Sequence, residues 1–185
     1  MEIGCILLAA GAGTRFGGGK LTALLDGKPL IEYILGSISA ARFSHRVIVA
    51  ANQQLLETAK AYGFTGVIND RPGLGVSRSI RFGLKPMADT DACMFCVADQ
   101  PLLKRETLSG MLDVYKRGTI LMASHNGRSG NPVIFPVGLY GELQSLNCEE
   151  SGKAVASRHE SLLRLFQVTD ARQLIDIDTR EDLKT

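Results

Sequence analysis

No stretch of this 185-residue chain approaches the roughly 20 apolar residues needed to cross a bilayer. The apolar patch at the N-terminus is preceded by Glu2 and lacks a basic flank, so a secretory leader is not expected. Excess charge of one sign is missing too. The 21 Lys and Arg against 19 Asp and Glu leave a net charge of +2, too little to hold nucleic acid or a membrane by bulk electrostatics. These absences point to the cytoplasm, with no nucleic-acid or membrane partner. Cysteine is sparse, at four residues. Cys93 and Cys96 form a Cys-x-x-Cys, yet no second pair completes a zinc site. A redox pair belongs at a helix start, whereas these two lie inside the apolar run Ala92-Cys93-Met94-Phe95-Cys96-Val97. They are expected to be buried strand residues packing as small hydrophobes. No repeat, linker, low-complexity tract or nucleophilic triad is evident. At this length, with 45% apolar and 22% charged residues, one domain with a full core is expected over residues 1–185.

What is present is concentrated near the start. The apolar run Ile3 to Leu8 reads as a buried strand, and Leu8-Ala9-Ala10-Gly11-Ala12-Gly13-Thr14-Arg15-Phe16-Gly17-Gly18-Gly19-Lys20 follows directly. Five glycines between Gly11 and Gly19 let backbone N–H groups come close to an anion. Arg15 and Lys20 add two positive charges. Strand, glycine loop and two cations make a place to hold a polyphosphate. It is not a Walker loop: Thr14 stands where the first glycine belongs, and Leu21 where the magnesium-binding hydroxyl belongs. Nor is it a dinucleotide fingerprint, because Gly17 comes one position late and the second strand ends in Ala51-Asn52 without a carboxylate.

Apolar runs then alternate with helix-like segments. Strands are expected at Ile3–Ala9, Arg46–Ala51, Gly66–Ile68, Ala92–Ala98, Ile120–Ser124, Pro132–Phe135, Leu163–Val168 and Leu174–Ile177. Helices are expected at Pro29–Ala41, Gln53–Tyr62, Val76–Lys85, Arg105–Arg117, Val137–Ser145 and Gly152–Arg158, with a short last one from Thr179. Pro29 suits the first turn of its helix. Several strands are apolar without alternation, as in a sheet covered on both faces. The expected fold is a three-layer α/β/α sandwich with a mostly parallel, Rossmann-type central sheet and an antiparallel excursion over residues 126–136.

Ligands of such sheets bind beyond the carboxyl ends of the strands. The glycine loop and Asp99 would both lie there. Asp99 ends an apolar strand and is fixed by Pro101, so its carboxylate is placed to hold Mg²⁺ against a triphosphate; a turn aspartate is the alternative. Asp176 and Asp178 would share one face of the Leu174–Ile177 strand, with Asp176 the second magnesium ligand and Asp178 the fallback. Asp178 also reads as an N-cap with Thr179 and Asp182. Arg15 and Lys20 would neutralise the triphosphate and steady charge at the transferred phosphorus. Gly73 to Ser79 reads as a loop entering a helix, whose free N–H groups would meet an anion or base edge, or Ser77 would simply cap the helix. Arg78 and Arg81 are expected to be solvated, and His125 to be a turn residue.

The loop resembles the nucleotidyltransferases of the molybdenum-cofactor group. Within that group it is most similar to the molybdenum cofactor cytidylyltransferases, whose loop reads Leu-Ala-Ala-Gly-x-Gly-x-Arg-Phe-Gly-Gly-x-Lys-Leu. Four further segments in order resemble the family: Asn69-Asp70 with Gly75 to Ile80, Ala98-Asp99-Gln100-Pro101, Gly130-Asn131-Pro132-Val133, and Asp176 to Leu183. The chain departs from the pattern at Asn131, where the family has His, and Glu149 to Ala154 matches only loosely. The resemblance implies nucleotide contacts at Leu8, Ala9, Ala10, Gly11, Gly13, Thr14, Arg15, Lys20, Asn69, Gly75, Ser77 and Ser79. It implies transfer of CMP from CTP to the phosphate of the molybdopterin cofactor, with Mg²⁺, release of pyrophosphate, and a molybdenum hydroxylase as recipient. Alternatives are a GTP-dependent guanylyltransferase, a sugar- or alditol-phosphate nucleotidyltransferase using another NTP, and a delivery chaperone without turnover.

Overall fold

The computed structural model describes residues 1–11, 13–148 and 150–184. Ala12 of the glycine loop, Glu149 of the loosely matching segment, and Thr185 lie outside the described residues. In chain order the strands are β1 (Ile3–Ala9), β2 (Leu24–Leu25), β3 (Lys28–Pro29), β4 (Arg46–Ala50), β5 (Thr65–Ile68), β6 (Ala92–Val97), β7 (Ile120–His125), β8 (Arg128–Pro136) and β9 (Leu163–Gln167). The α-helices are α1 (Leu30–Ser39), α2 (Gln53–Lys60), α3 (Val76–Leu84), α4 (Arg105–Val114), α5 (Tyr140–Gln144) and α6 (Gly152–Arg158).

Seven strands form one sheet in the order β5-β4-β1-β6-β8-β7-β9. All its pairings are parallel except those of β8, which runs antiparallel to both β6 and β7. The expected antiparallel excursion is this strand, entered through a turn at Asn126 and Gly127. Alternate residues of β1 enter opposite layers. Cys5 and Leu7 pack with Ile34 and Leu35 of α1 and Met111 of α4, while Ile6 packs with Ile80 and Leu84 of α3. Each fully buried Ile or Leu contributes roughly 1.5–3 kcal/mol. The sandwich therefore has two cores, one on each face of the sheet. Cys93 and Cys96 follow the same rule: three residues apart on β6, they are buried in opposite layers, with their thiols packed in the core. Burial pushes the Cys93 thiol well above its ordinary pKa.

Three expectations need correction. Residues 174–177 are not a strand; a 3-10 turn over Ala171–Leu174 leads into an extended stretch with Ile175 exposed. Pro29 does not sit in the first turn of α1 but just before it, with an extended ψ of 136°, and pairs with Leu24 in the β2–β3 hairpin. The segment from Thr179 forms only a 3-10 turn, Glu181–Lys184.

Candidate functional site

Parallel pairing of β1 with β6 sets the site. Leu8 is in register with Val97, and the Ala98 N–H donates to the Leu8 carbonyl at 3.0 Å. The glycine loop and Asp99 therefore leave the sheet side by side at one edge. Positive φ angles at Gly13, Gly17, Gly18 and Gly19 fold the loop back on itself through two short 3-10 turns, Thr14–Phe16 and Lys20–Thr22. Behind Asp99, the Ile177 N–H donates to the Asp99 carbonyl at 2.8 Å, and this brings the C-terminal stretch to the same edge.

A cavity of about 250 Å³ opens at this edge. Leu8, Ala9, Ala10, Gly11, Gly13 and Lys20 form one side of it, and Gly75 and Ser79 from the start of α3 another. Asp99 completes the wall. Thr14, Arg15, Asn69 and Ser77 stand outside the wall. Thr14 is exposed, and Ser77 is buried in the first turn of α3, whose N-cap is Gly75 with no side-chain cap bond. Asn69 is fully buried and its side chain is engaged by the protein: Nδ2 donates to Ser79 Oγ at 3.0 Å, and Oδ1 accepts from the Arg71 N–H and Arg78 Nε. It thereby places Ser79 on the cavity wall. Val76 and Val97 also line the cavity. Only their positions at element ends hint at this in the sequence.

Two glycines of the wall differ in what requires them. Gly75 has φ +90°, and a Cβ there would lie 1.9 Å from the Cys148 carbonyl oxygen. Gly11 has no positive φ and nothing within 4 Å of a built Cβ. The space where its side chain would stand is open, and the residue lines the cavity, which suits close approach of a ligand.

The charges form one connected group. Lys20 Nζ donates to Asp99 Oδ2 at 2.9 Å and to Asp178 Oδ1 at 3.3 Å. Arg15 donates to Asp178 Oδ2 at 2.7 Å. Asp176 turns instead to Gln100, whose Nε2 donates to it at 3.0 Å. Without a strand over residues 174–177, the alternation expected to align Asp176 with Asp178 does not operate. The surrounding protein and, after it, the negative charge of Asp99 raise the pKa of the Asp176 carboxyl, although the residue is open to the cleft. Asp178 does not itself cap the last turn; the Asp182 carboxylate accepts from the Asp178 and Thr179 N–H groups. Among the described residues, no three His, Cys, Asp or Glu side chains converge on one point. Asp99 and Asp178 do share a cation, the Lys20 ammonium. Two hard oxygen donors around one positive centre are suited to Mg²⁺ with waters retained.

Arg81 is exposed as expected, whereas Arg78 is partly buried. Arg78 pairs with Asp70 at 2.7 Å and lies over the Phe82 ring, and Arg81 donates to the Gln144 and Leu146 carbonyls. His125 ends β7 and its Nδ1 is 2.7 Å from the Val168 carbonyl oxygen. A second, largely apolar cavity of about 220 Å³ shares Leu8, Val76 and Val97 with the first and reaches Asn131 and Lys153. A third, of about 770 Å³, joins Asn131 to Gln100 and Asp176.

Residues 5–162 match the MobA-like NTP transferase domain family. The chain belongs to this family. A probable molybdenum cofactor guanylyltransferase of Thermococcus gammatolerans is 33% identical over 115 residues, covering 60% of this chain and 56% of the relative. The chain spans between half and two-thirds of the length of the first curated relatives it matches. The nicotine blue oxidoreductase of Paenarthrobacter nicotinovorans is 26% identical over 189 residues, covering 96% and 93%. A solved structure from Mycobacterium sp. strain JC1 superposes with a TM-score of 0.87 at 22% identity, covering 100% of this chain and 95% of that one. At that identity the likeness is one of fold. No helix among the described residues is long and apolar enough to cross a membrane.

Proposed function

We propose that this protein transfers a nucleoside monophosphate, CMP from CTP, onto the phosphate of the molybdopterin-bound molybdenum cofactor in the cytoplasm, for delivery to a molybdenum hydroxylase. The observation that carries this reading is the cavity in which the glycine loop, Lys20 and Asp99 meet. The triphosphate would lie along Gly11, Gly13 and Lys20. The base would lie toward Gly75 and Ser79. The acceptor would enter from the neighbouring cavities past Asn131 and Gln100. An acceptor phosphate oxygen attacks the α-phosphorus, the bond from that phosphorus to the bridging oxygen breaks, and pyrophosphate leaves. Lys20 and Arg15 offset the negative charge of the transferred and leaving groups, and the loop fixes their orientation. Asp99 and Asp178 would hold the magnesium ion, which when bound supplies charge neutralisation at the phosphates.

The preference for CTP rests on Ala9-Ala10-Gly11, where the guanylyltransferases more often have Leu-Ala-Gly-Gly. GTP is the second reading, favoured by the guanylyltransferase names of the curated relatives. Pyrophosphate release measured with each of the four NTPs, with and without molybdopterin cofactor, tests both. Release that requires CTP and cofactor supports the first reading, and release with GTP the second. Release with a sugar phosphate as acceptor contradicts both, and tight binding without turnover would make the protein a carrier.

A further inference from the structure

Lys20 occupies a position that the reaction alone does not explain. It lines the cavity, and its ammonium also bridges Asp99 and Asp178, the two carboxylates read above as the metal pair. The Lys20 side of the bridge is largely buried: its side chain is 12% exposed, and its stem packs beside Gly13, where a Cβ would stand 3.4 Å from Lys20 Cβ. Oxygens that grip a magnesium ion stand about 2.1 Å from it. The same oxygens stand 2.9 and 3.3 Å from Nζ. A metal bound by both carboxylates would therefore take the place of the ammonium, and two cations cannot share it.

We infer that Lys20 is a built-in counter-cation that withholds Asp99 and Asp178 from a divalent metal until an anion in the adjoining cavity draws its ammonium away. The inference rests on the assignment of those carboxylates to the metal. Lys20 has a route out, because it lines the cavity beside Gly11 and Gly13 and its four-carbon stem is flexible. Asp178 does not lose its orientation when Lys20 leaves, since Arg15 holds its other oxygen. Metal and nucleotide affinities are then linked, and each ligand strengthens the other. The device keeps the carboxylates paired when no substrate is bound, and it disfavours metal binding without nucleotide.

The test uses the full-length protein and Mn²⁺ without nucleotide, with free Mn²⁺ followed by electron paramagnetic resonance. Lys20→Met should bind Mn²⁺ about tenfold or more tighter than the wild type. Lys20→Arg, which keeps a cation in place, should stay near the wild type. Adding Asp99→Asn to Lys20→Met should abolish the gain. Lys20→Gln gives the same reading if the methionine variant does not fold, as judged by circular dichroism. A neutral variant that binds no tighter than the wild type overturns the inference, as does tight binding that survives Asp99→Asn. Because no nucleotide is present, these outcomes are independent of whether any NTP is turned over.

Discussion

Gly11→Ala separates a glycine required by a ligand from one required by the fold. At Gly11 an added methyl meets no protein atom within 4 Å, and the backbone is not in the left-handed region. Folding should therefore tolerate it, and the smaller entropy of the unfolded chain should add roughly 0.4–1 kcal/mol of stability. For a chain of this size that raises Tm by about 1–4 °C. Gly11 lines the cavity assigned to the triphosphate, so the added methyl is expected to crowd the phosphates. Overpacking of that kind costs about 1–3 kcal/mol, or roughly 5- to 150-fold in nucleotide affinity. Gly75→Ala should behave oppositely. Its φ of +90° and the 1.9 Å approach to the Cys148 carbonyl oxygen require backbone movement. Strain plus displacement amounts to about 3 kcal/mol, and Tm should fall by roughly 6–12 °C. Scanning calorimetry and titration calorimetry with CTP and Mg²⁺ measure both quantities. A Gly11→Ala protein that binds nucleotide like the wild type, or melts several degrees lower, would refute the reasoning.

Asp99→Asn keeps the shape of the side chain and removes a charge from Lys20 and from the metal pair; pyrophosphate release should drop at least about 100-fold while Tm moves by only a few degrees. Asn69→Ala leaves Ser79, Arg78 and the Arg71 N–H without their buried partner; denaturant unfolding should show a loss of about 2–4 kcal/mol, with weaker nucleotide binding as a consequence. Asp176→Asn should stabilise the protein at neutral pH. Its folded-state pKa lies above its unfolded value, so the native carboxyl holds its proton longer, and stability falls as pH rises from below the unfolded pKa through the folded one. The variant should lose that decline in melts run across this acid range, and an unchanged pH profile would rule out the cause given.

Periodicity and apolar runs made the frame of the molecule readable. The bounds of β1 and α6 fall where the residues place them, β1 because an apolar run that ends at the glycine loop leaves few choices. The misses have physical causes. Leu174-Ile175-Asp176-Ile177 is apolar enough to read as a strand, but it joins no sheet and is held instead by the Ile177 N–H on the Asp99 carbonyl and by Gln100 Nε2 on the Leu174 carbonyl and the Asp176 carboxylate. The β2–β3 hairpin carried a legible signal that Pro29 masked: Asp26 and Gly27 both have positive φ, the residue pair and geometry of a tight hairpin turn. At the site, the sequence could place Lys20 and Asp99 on one edge through strand order. It could not show which of Asp176 and Asp178 faces Lys20, because that depends on an irregular segment held by tertiary contacts. Arg81 is the surface charge it reads as, while Arg78 is drawn in by Asn69 and Asp70, partners that come together only in the fold.

The claim that everything else depends on is that residues 11–20 and Asp99 enclose the phosphates of a metal-bound nucleotide. A crystal structure with CTP and Mg²⁺ tests it most directly. The account predicts triphosphate density against Gly11, Gly13 and Lys20, with the metal between Asp99 and Asp178. An empty glycine loop, with nucleotide bound elsewhere on the protein, would contradict it.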